Sequence, residues 1–276
     1  VRERVLVRMQ DQGMISNAEF DVALKAPNTA FRHGRETELD APYIAEMVRQ
    51  EMIDRFGDLA LTDGFEVFTT IDSRMQATAN QALQNGLESY DQRHGYRGRE
   101  NHLRPAEDGS YDHWLDVLQR TPSIASQQPA FVQAVEERSI TALLKNGEQI
   151  TIPYDGFRWA KRFITNSTWG SSPRSADEVV ESGDLIRVIQ DAQGRWMLGQ
   201  VPAVNGGLVA LNPNSGAILS LVGGYDFNDR SRNGQFNRVT QAERQPGSNF
   251  KPFLYTAALE NGYTSASLIN DAPLAR

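Results

Sequence analysis

AFVQAVEERSITALLKNGEQITIP, residues 130–153, holds three short β-rich runs, AFVQAVEE, SITALLK and EQITIP, with Asn146-Gly147 between the second and third. Asn-Gly between such runs is a strong hairpin signal, because a tight two-residue turn needs positive φ at both positions. Two more runs, DLIRVIQD (184–191) and RWMLGQVP (195–202), join through the turn text DAQG. Five strands and two tight turns predict a small barrel, and a five-stranded Greek-key barrel of the oligonucleotide/oligosaccharide-binding type fits that count.

Upstream the pattern is helical. VRERVLVRMQDQG closes on Gly13 and Ser16 caps NAEFDVALK, which predicts a helical hairpin over 1–26. Residues 27–39 are polar and loop-like. Asp40 is expected to cap a helix with Pro42 in its first turn, along which Ile44, Met47, Val48, Met52 and Phe56 recur at helical spacing before Gly57. FEVFTTI (65–71) is β-rich, and Asp72 is expected to cap a helix whose Met75, Ala79, Ala82, Leu83 and Leu87 share a face. From about 92 to 128 the periodicity dissolves into polar text such as RHGYRGRENHLRP, which marks a boundary.

Downstream of the barrel, GLVAL and AILSLVGG flank NPNSG, so 207–224 predicts a second hairpin, apolar enough for burial on both faces. A polar loop, YDFNDRSRNGQFNR, then leads to ERQPGSNFKPFLYTAALENG (243–262), a helix with Gly262 as its stop.

The composition narrows the function. The 276 residues have a formal charge of −7, which opposes a phosphate-neutralising surface and makes nucleic acid an unexpected partner. With no cysteine, thiolate catalysis and zinc-thiolate sites are excluded, and no cofactor is expected. Apolar runs fall short of a membrane span and no signal pattern follows Val1, so an anchor is expected to lie upstream of a chain that reads as a fragment.

Of the four lysines, only Lys251 follows a serine by three residues. On a helix or 3₁₀ turn that spacing puts Ser248 and Lys251 on one side, where a neutral amine can accept the hydroxyl proton during attack on a carbonyl. That chemistry requires partial burial and nearby charge to lower the lysine pKa. The helix N-terminus favours the negative charge that develops, and Pro252 should distort the first turn toward 3₁₀. The plainer alternative is a capping serine beside a solvated lysine.

GLVALNPNSGAILSLVGGYDFN, FNRVTQAERQPGSNFKPFLYTAALENGYTSASLINDAP, DAPYIAEMVRQEMIDRFG and YDQRHGYRG together resemble bifunctional class A penicillin-binding proteins, most closely the 1A type of Gram-negative bacteria. The resemblance implies a multidomain α+β chain. Residues 1–62 would be the helical end of a glycosyltransferase domain and linker, and 63–104 a strand and helix. An OB-like insert would occupy 105–203, and 204–276 would begin an α/β transpeptidase domain. It implies a serine D,D-transpeptidase of peptidoglycan synthesis, with Ser248 acylated and Lys251 as proton acceptor. Stem peptides and β-lactams would be its ligands, an outer-membrane lipoprotein activator a partner through the insert, and the periplasmic side of the inner membrane its place.

The family's Ser-x-Asn and Lys-Thr/Ser-Gly motifs should follow the nucleophile, so Ser231-Arg232-Asn233 and Lys145-Asn146-Gly147, which precede it, are read as coincidence. These 276 residues alone are therefore expected to be inactive. A noncatalytic partner- or glycan-binding module built on the barrel, or a serine β-lactamase relative, are the alternatives. Trp114, Trp159, Trp169 and Trp196 lie in or beside the barrel and are expected to pack within it rather than stack on sugars. RHGYRGR (93–99) is expected to be a solvated loop rather than a basic patch.

Overall fold

Gly13, at φ 69°, ends the first of two short helices, α1 (Arg2–Asp11) and α2 (Asn17–Lys25), in the computed structural model, which describes residues 2–26, 37–106 and 109–272. Ser16 Oγ accepts the Glu19 amide at 3.3 Å and the Glu19 carboxylate accepts the Ser16 amide at 2.8 Å, a reciprocal cap that satisfies two otherwise orphaned donors. Arg2 closes the hairpin by donating to the carbonyls of Leu24 and Ala26. Residues 1–38 form one compact unit and 39–276 a second. Most of the loop expected over 27–39 lies outside the described residues.

The second unit opens with α3 (Pro42–Phe56), α4 (Leu59–Thr62) and α5 (Ser73–Arg93). Pro42 starts α3 as expected, but the residue at the cap is Ala41 and no side chain caps it: Asp40 stands one residue too early. Asp72 does cap α5, its Oδ1 accepting from the Arg74 and Met75 amides at 3.0 and 2.9 Å. Between α4 and α5 the β-rich run 65–71 forms no strand, and Phe68 is 90% exposed. The segment meets the rest of the chain through Phe65, stacked on Phe56 of α3, through Ile71, which packs against the cluster of Tyr43, Ile44 and Ala79, and through two bonds: Thr70 Oγ1 donates to the Ile218 carbonyl at 2.7 Å and the neighbouring Asp72 amide to Leu219. β propensity without a neighbouring ladder leaves a segment extended and unpaired.

The barrel sheet comprises β1 (Asn101–His102), β2 (Gln128–Glu136), β3 (Ser139–Leu144), β4 (Gln149–Pro153), β7 (Asp184–Gln190) and β8 (Trp196–Gly199), in the order β1-β7-β2-β3-β4 with β8 also on β7. The five expected strands form, and β1 joins them from upstream of residue 105. Between β1 and β2 lies α6 (Asp112–Arg120), and between β4 and β7 lie α7 (Tyr154–Phe157) and the small hairpin β5 (Phe163–Thr165) and β6 (Thr168–Trp169). Alternation along each strand sorts two cores. Ala130, Val132, Ile140, Ala142, Ile152, Ile186, Val188 and Leu198 point into the barrel. Phe131, Leu143 and Leu185 point outward and are covered by Trp114 and Leu118 of α6.

β9 (Leu208–Leu211) and β10 (Ile218–Val222) form the second hairpin. α3 and α5 pack Tyr43, Ile44 and Ala79 against its Leu221 and Val222. Burial on both faces is not reached. Val209 and Leu211 of β9 are about half exposed, because the sheet has only two strands and the helices cover one side.

Candidate active site

The segment that leads to Ser248 is anchored at its upstream end. Tyr43 Oη of α3 donates to the Gly234 carbonyl at 2.6 Å, and burial pushes this phenol up to about 12. Asn237, buried, accepts the Val239 amide on its Oδ1 at 3.1 Å, and Gln241 Oε1 accepts the Asn237 amide at 2.7 Å. Beyond Gln241 the chain is largely exposed up to Gly247, whose φ of 53° is a left-handed value that glycine takes without steric cost.

Gly247–Phe250 form a 3₁₀ turn, and α8 (Lys251–Glu260) continues from it. The distortion expected from Pro252 is present: the Lys251 amide donates to the Ser248 carbonyl, the three-residue bond of a 3₁₀ turn. Lys251 itself keeps right-handed helical dihedrals (φ −58°, ψ −40°) in spite of the following proline, which occupies an early position of α8 where no N–H is required. The helix ends as expected. The Gly262 amide donates to Leu259 and the Tyr263 amide to Ala258, with Gly262 at φ 84°, a Schellman stop.

Ser248 and Lys251 therefore lie one turn apart, both exposed, and no side-chain hydrogen bond joins them among the described residues. The burial required around the lysine is not supplied by this segment. α8 has no buried residue, and Phe253, Leu254 and Tyr255 are each more than half exposed. Neither look-alike motif meets the pair. Ser231 bonds to Asp229 within its own turn, and Lys145-Asn146-Gly147 makes the β3–β4 hairpin with Gly147 at φ 82°.

Other expectations sort by burial. Trp114 is fully buried, Trp159 donates to the Leu198 carbonyl, and Trp196 packs against the barrel core, whereas Trp169 is 43% exposed. RHGYRGR is not a solvated loop: Arg93 closes α5, Tyr96 is buried, Arg97 grips Asp91, and Arg99 donates to Glu181 and Asp184. His102, Glu181 and Asp184 cluster closely enough to suggest a cation site, but the Arg99 guanidinium already serves those carboxylates.

Sequence reasoning missed the joint between α5 and the barrel. Asp91, buried near the end of α5, accepts two bonds from Arg97, one from Gln200 Nε2 at 2.6 Å and one from the Ala203 amide at 2.9 Å. Beside it, Tyr225 Oη donates to Glu88 at 2.5 Å and accepts from Gln127 Nε2. Burial pushes that phenol far up, and Glu88 adds to the effect. The only available hint was a carboxylate on the apolar side of a helix.

Two family models match the chain: the penicillin-binding protein OB-like domain over residues 96–204 and the penicillin binding protein transpeptidase domain over residues 206–275. Penicillin-binding protein 1A of Pseudomonas aeruginosa is 43% identical over 99% of this chain, and that of Escherichia coli 42% identical over 100% of this chain. The chain spans about a third, 32%, of each of these relatives. The crystal structure of penicillin-binding protein 1A from Haemophilus influenzae superposes with a TM-score of 0.74 at 38% identity, covering 99% of this chain and 38% of that one. Both matches fall on the barrel and on the hairpin-to-α8 segment just described: the chain carries a penicillin-binding protein OB-like domain and the start of a penicillin-binding protein transpeptidase domain, and along its length it is homologous to part of penicillin-binding protein 1A.

Proposed function

We propose that the chain is the central part of a bifunctional peptidoglycan synthase and carries the acyl-transfer nucleophile of its transpeptidase. The observation that supports this most is the 3₁₀ turn that puts Ser248 and Lys251 one turn apart at the start of α8, within the residues matched by the transpeptidase family. Ser248 Oγ attacks the carbonyl of the D-Ala-D-Ala amide of a stem peptide while Lys251 Nζ takes its proton. The tetrahedral intermediate collapses to a serine ester, and D-alanine leaves with a proton as a neutral amine. The amine of a neighbouring stem then attacks the ester, which forms the cross-link and frees the serine. A β-lactam opens on the same hydroxyl and stays. The Ser248 amide, in the turn that leads into α8, donates to the oxyanion.

The rest of the organisation belongs to the same reading. Residues 1–62 close a glycosyltransferase domain and its linker, a membrane anchor precedes them in the inner membrane, and the chain lies on its periplasmic side. The barrel docks a lipoprotein activator, and the exposed face of α8 packs on further strands of the transpeptidase domain. In the full-length enzyme, Ser248→Ala should abolish β-lactam labelling with little change in melting, since the Ser248 side chain is exposed and caps neither the 3₁₀ turn nor α8. Lys251→Ala should slow acylation by roughly a thousandfold or more. Labelling of the Ser248→Ala enzyme, or an unchanged rate in Lys251→Ala, would defeat the assignment.

A further inference from the structure

One surface is used by none of this. At the end of α5 the rings of Tyr90 and His94 stack with centroids 4.3 Å apart, and Trp169 of β6 meets His94 edge-on at 6.1 Å. Arg93 stands 5.9 Å from the Tyr90 ring centre, so a cation and three rings make successive contacts from the helix to the β5–β6 hairpin. The backbone ties the two segments together: the Tyr96 amide donates to the Lys161 carbonyl at 2.6 Å and the Phe163 amide to the Tyr96 carbonyl at 2.9 Å. Lys161 and Arg162 thereby sit beside the end of α5. Tyr90 and Trp169 are each 43% exposed, although Trp169 has a barrel next to it in which to bury.

The charge here is opposite to that of the chain as a whole. Among the described residues Arg93, Lys161 and Arg162 make no ion pair, while the carboxylates of the flanking segments are engaged elsewhere: Glu88 with Tyr225, Asp91 with Arg97, Asp155 with Arg158. Arg93 beside the Tyr90 ring, with Lys161 and Arg162 in the segment that pairs with Tyr96, concentrates three cations without ion pairs near exposed rings on a chain of formal charge −7, a local site for an anion that also presents flat apolar faces. The hairpin tip, Thr165-Asn166-Ser167-Thr168, is polar, with Thr165 and Thr168 hydroxyls bonded to each other at 2.6 Å, and Ile164 is its single exposed aliphatic side chain. That tip is poorly suited to entering a bilayer.

We propose that this aromatic and basic surface, formed by Tyr90, Arg93, His94, Lys161, Arg162 and Trp169, binds a peptidoglycan glycan strand away from Ser248. Sugar rings stack on Tyr90 and Trp169, and stem-peptide carboxylates pair with the three cations. The inference rests on the peptidoglycan reading above and deepens it. Held at this end of α5, a strand would be tethered to the enzyme while its stems reach the transpeptidase.

The test uses full-length enzyme already acylated with penicillin, so that Ser248 contributes nothing, and measures binding of uncross-linked glycan strands that carry stem peptides. Arg93→Glu with Arg162→Glu should weaken binding by about tenfold at low salt, and Trp169→Ala by a similar factor. Arg93→Gln with Arg162→Gln, which adds no repulsion, should give a smaller loss in the same direction. All should melt as the parent does and acylate at its rate. Equal strand binding by parent and variants would overturn the inference. So would parent enzyme that binds polyglutamate as tightly as strands, which would mark an acidic protein as the partner, or that prefers phosphatidylglycerol vesicles. Strand binding that responds to the variants in an enzyme with no β-lactam adduct would instead defeat the assignment of Ser248 and leave this surface standing.

Discussion

Asp91 Oδ1 and Oδ2 each accept a hydrogen bond of 2.8 Å from Arg97, a two-pronged pair at the point where α5 gives way to the barrel. Gln200 and Ala203, at the barrel's far end, bond to the same carboxylate. A single buried side chain thus gathers the segment that enters the OB-like domain and the segment that leaves it. Together with the Gln127–Tyr225–Glu88 contacts, that carboxylate ties the barrel to the transpeptidase side.

Asp91→Asn keeps the shape and removes the charge. It leaves Arg97 half-served, and breaking such a pair should cost about 2 kcal/mol, at the lower end for buried pairs because Arg97 is partly exposed. Urea unfolding of the purified chain measures it. A midpoint equal to that of the parent would mean that the joint is held by packing alone.

Trp114 has no exposed surface, stacks on Phe131 with ring centres 5.0 Å apart, and donates to the Leu103 carbonyl at 3.2 Å. Trp114→Ala should therefore destabilise the barrel by about 3–5 kcal/mol. Trp169→Ala, at the exposed end of the scale, should change its melting little. Similar losses from the two would contradict the separation of core from surface tryptophan.

How far this was legible follows from the kind of signal each element carries. Strands β2, β3, β4, β7 and β8 announce themselves through alternation and through Asn146-Gly147, because a barrel wall has one inner face and tight turns need positive φ. The 3₁₀ turn at Ser248 was legible from Pro252. DHWLDVLQR carries Trp114, Leu115 and Leu118 at helical spacing, yet α6 is submerged in polar text and went unread. Residues 65–71 have strand-like composition and no ladder, since pairing depends on a neighbour that local composition cannot supply. Asp91 and Arg97 are only six residues apart, but the partners that make Asp91 structural lie more than a hundred residues on. The Ser248–Lys251 spacing was plain in the sequence; the burial required around it is not provided by the residues that carry it.

Tyr43, pushed up to about 12 from an ordinary 10.0 by burial, is a group whose neutral form the fold prefers. Its contribution is complete below pH 10 and is lost as the pH rises from 10 toward 12, where the unfolded phenol ionises first. Tyr96 and Tyr225 are raised by the same cause and add to the loss at higher pH. Stability measured by urea unfolding should therefore fall across pH 10–12, and Tyr43→Phe should make the fall shallower while costing the bond to Gly234 at neutral pH. An identical alkaline slope in Tyr43→Phe would show that Tyr43 ionises as freely folded as unfolded.

The central claim is that Ser248 is the acylated residue and that its chemistry needs surroundings which residues 1–276 do not supply by themselves, given an exposed serine, an exposed lysine and an α8 with no buried side chain. Mass spectrometry after incubation with benzylpenicillin, run in parallel on the full-length enzyme and on residues 1–276, tests it most directly. The account predicts one penicilloyl group on the full-length enzyme, mapped to the peptide containing Ser248, and no adduct on residues 1–276. An adduct at another residue, or an unmodified full-length enzyme, would contradict the assignment of Ser248, and an adduct on residues 1–276 would show that the Ser248–Lys251 turn suffices on its own.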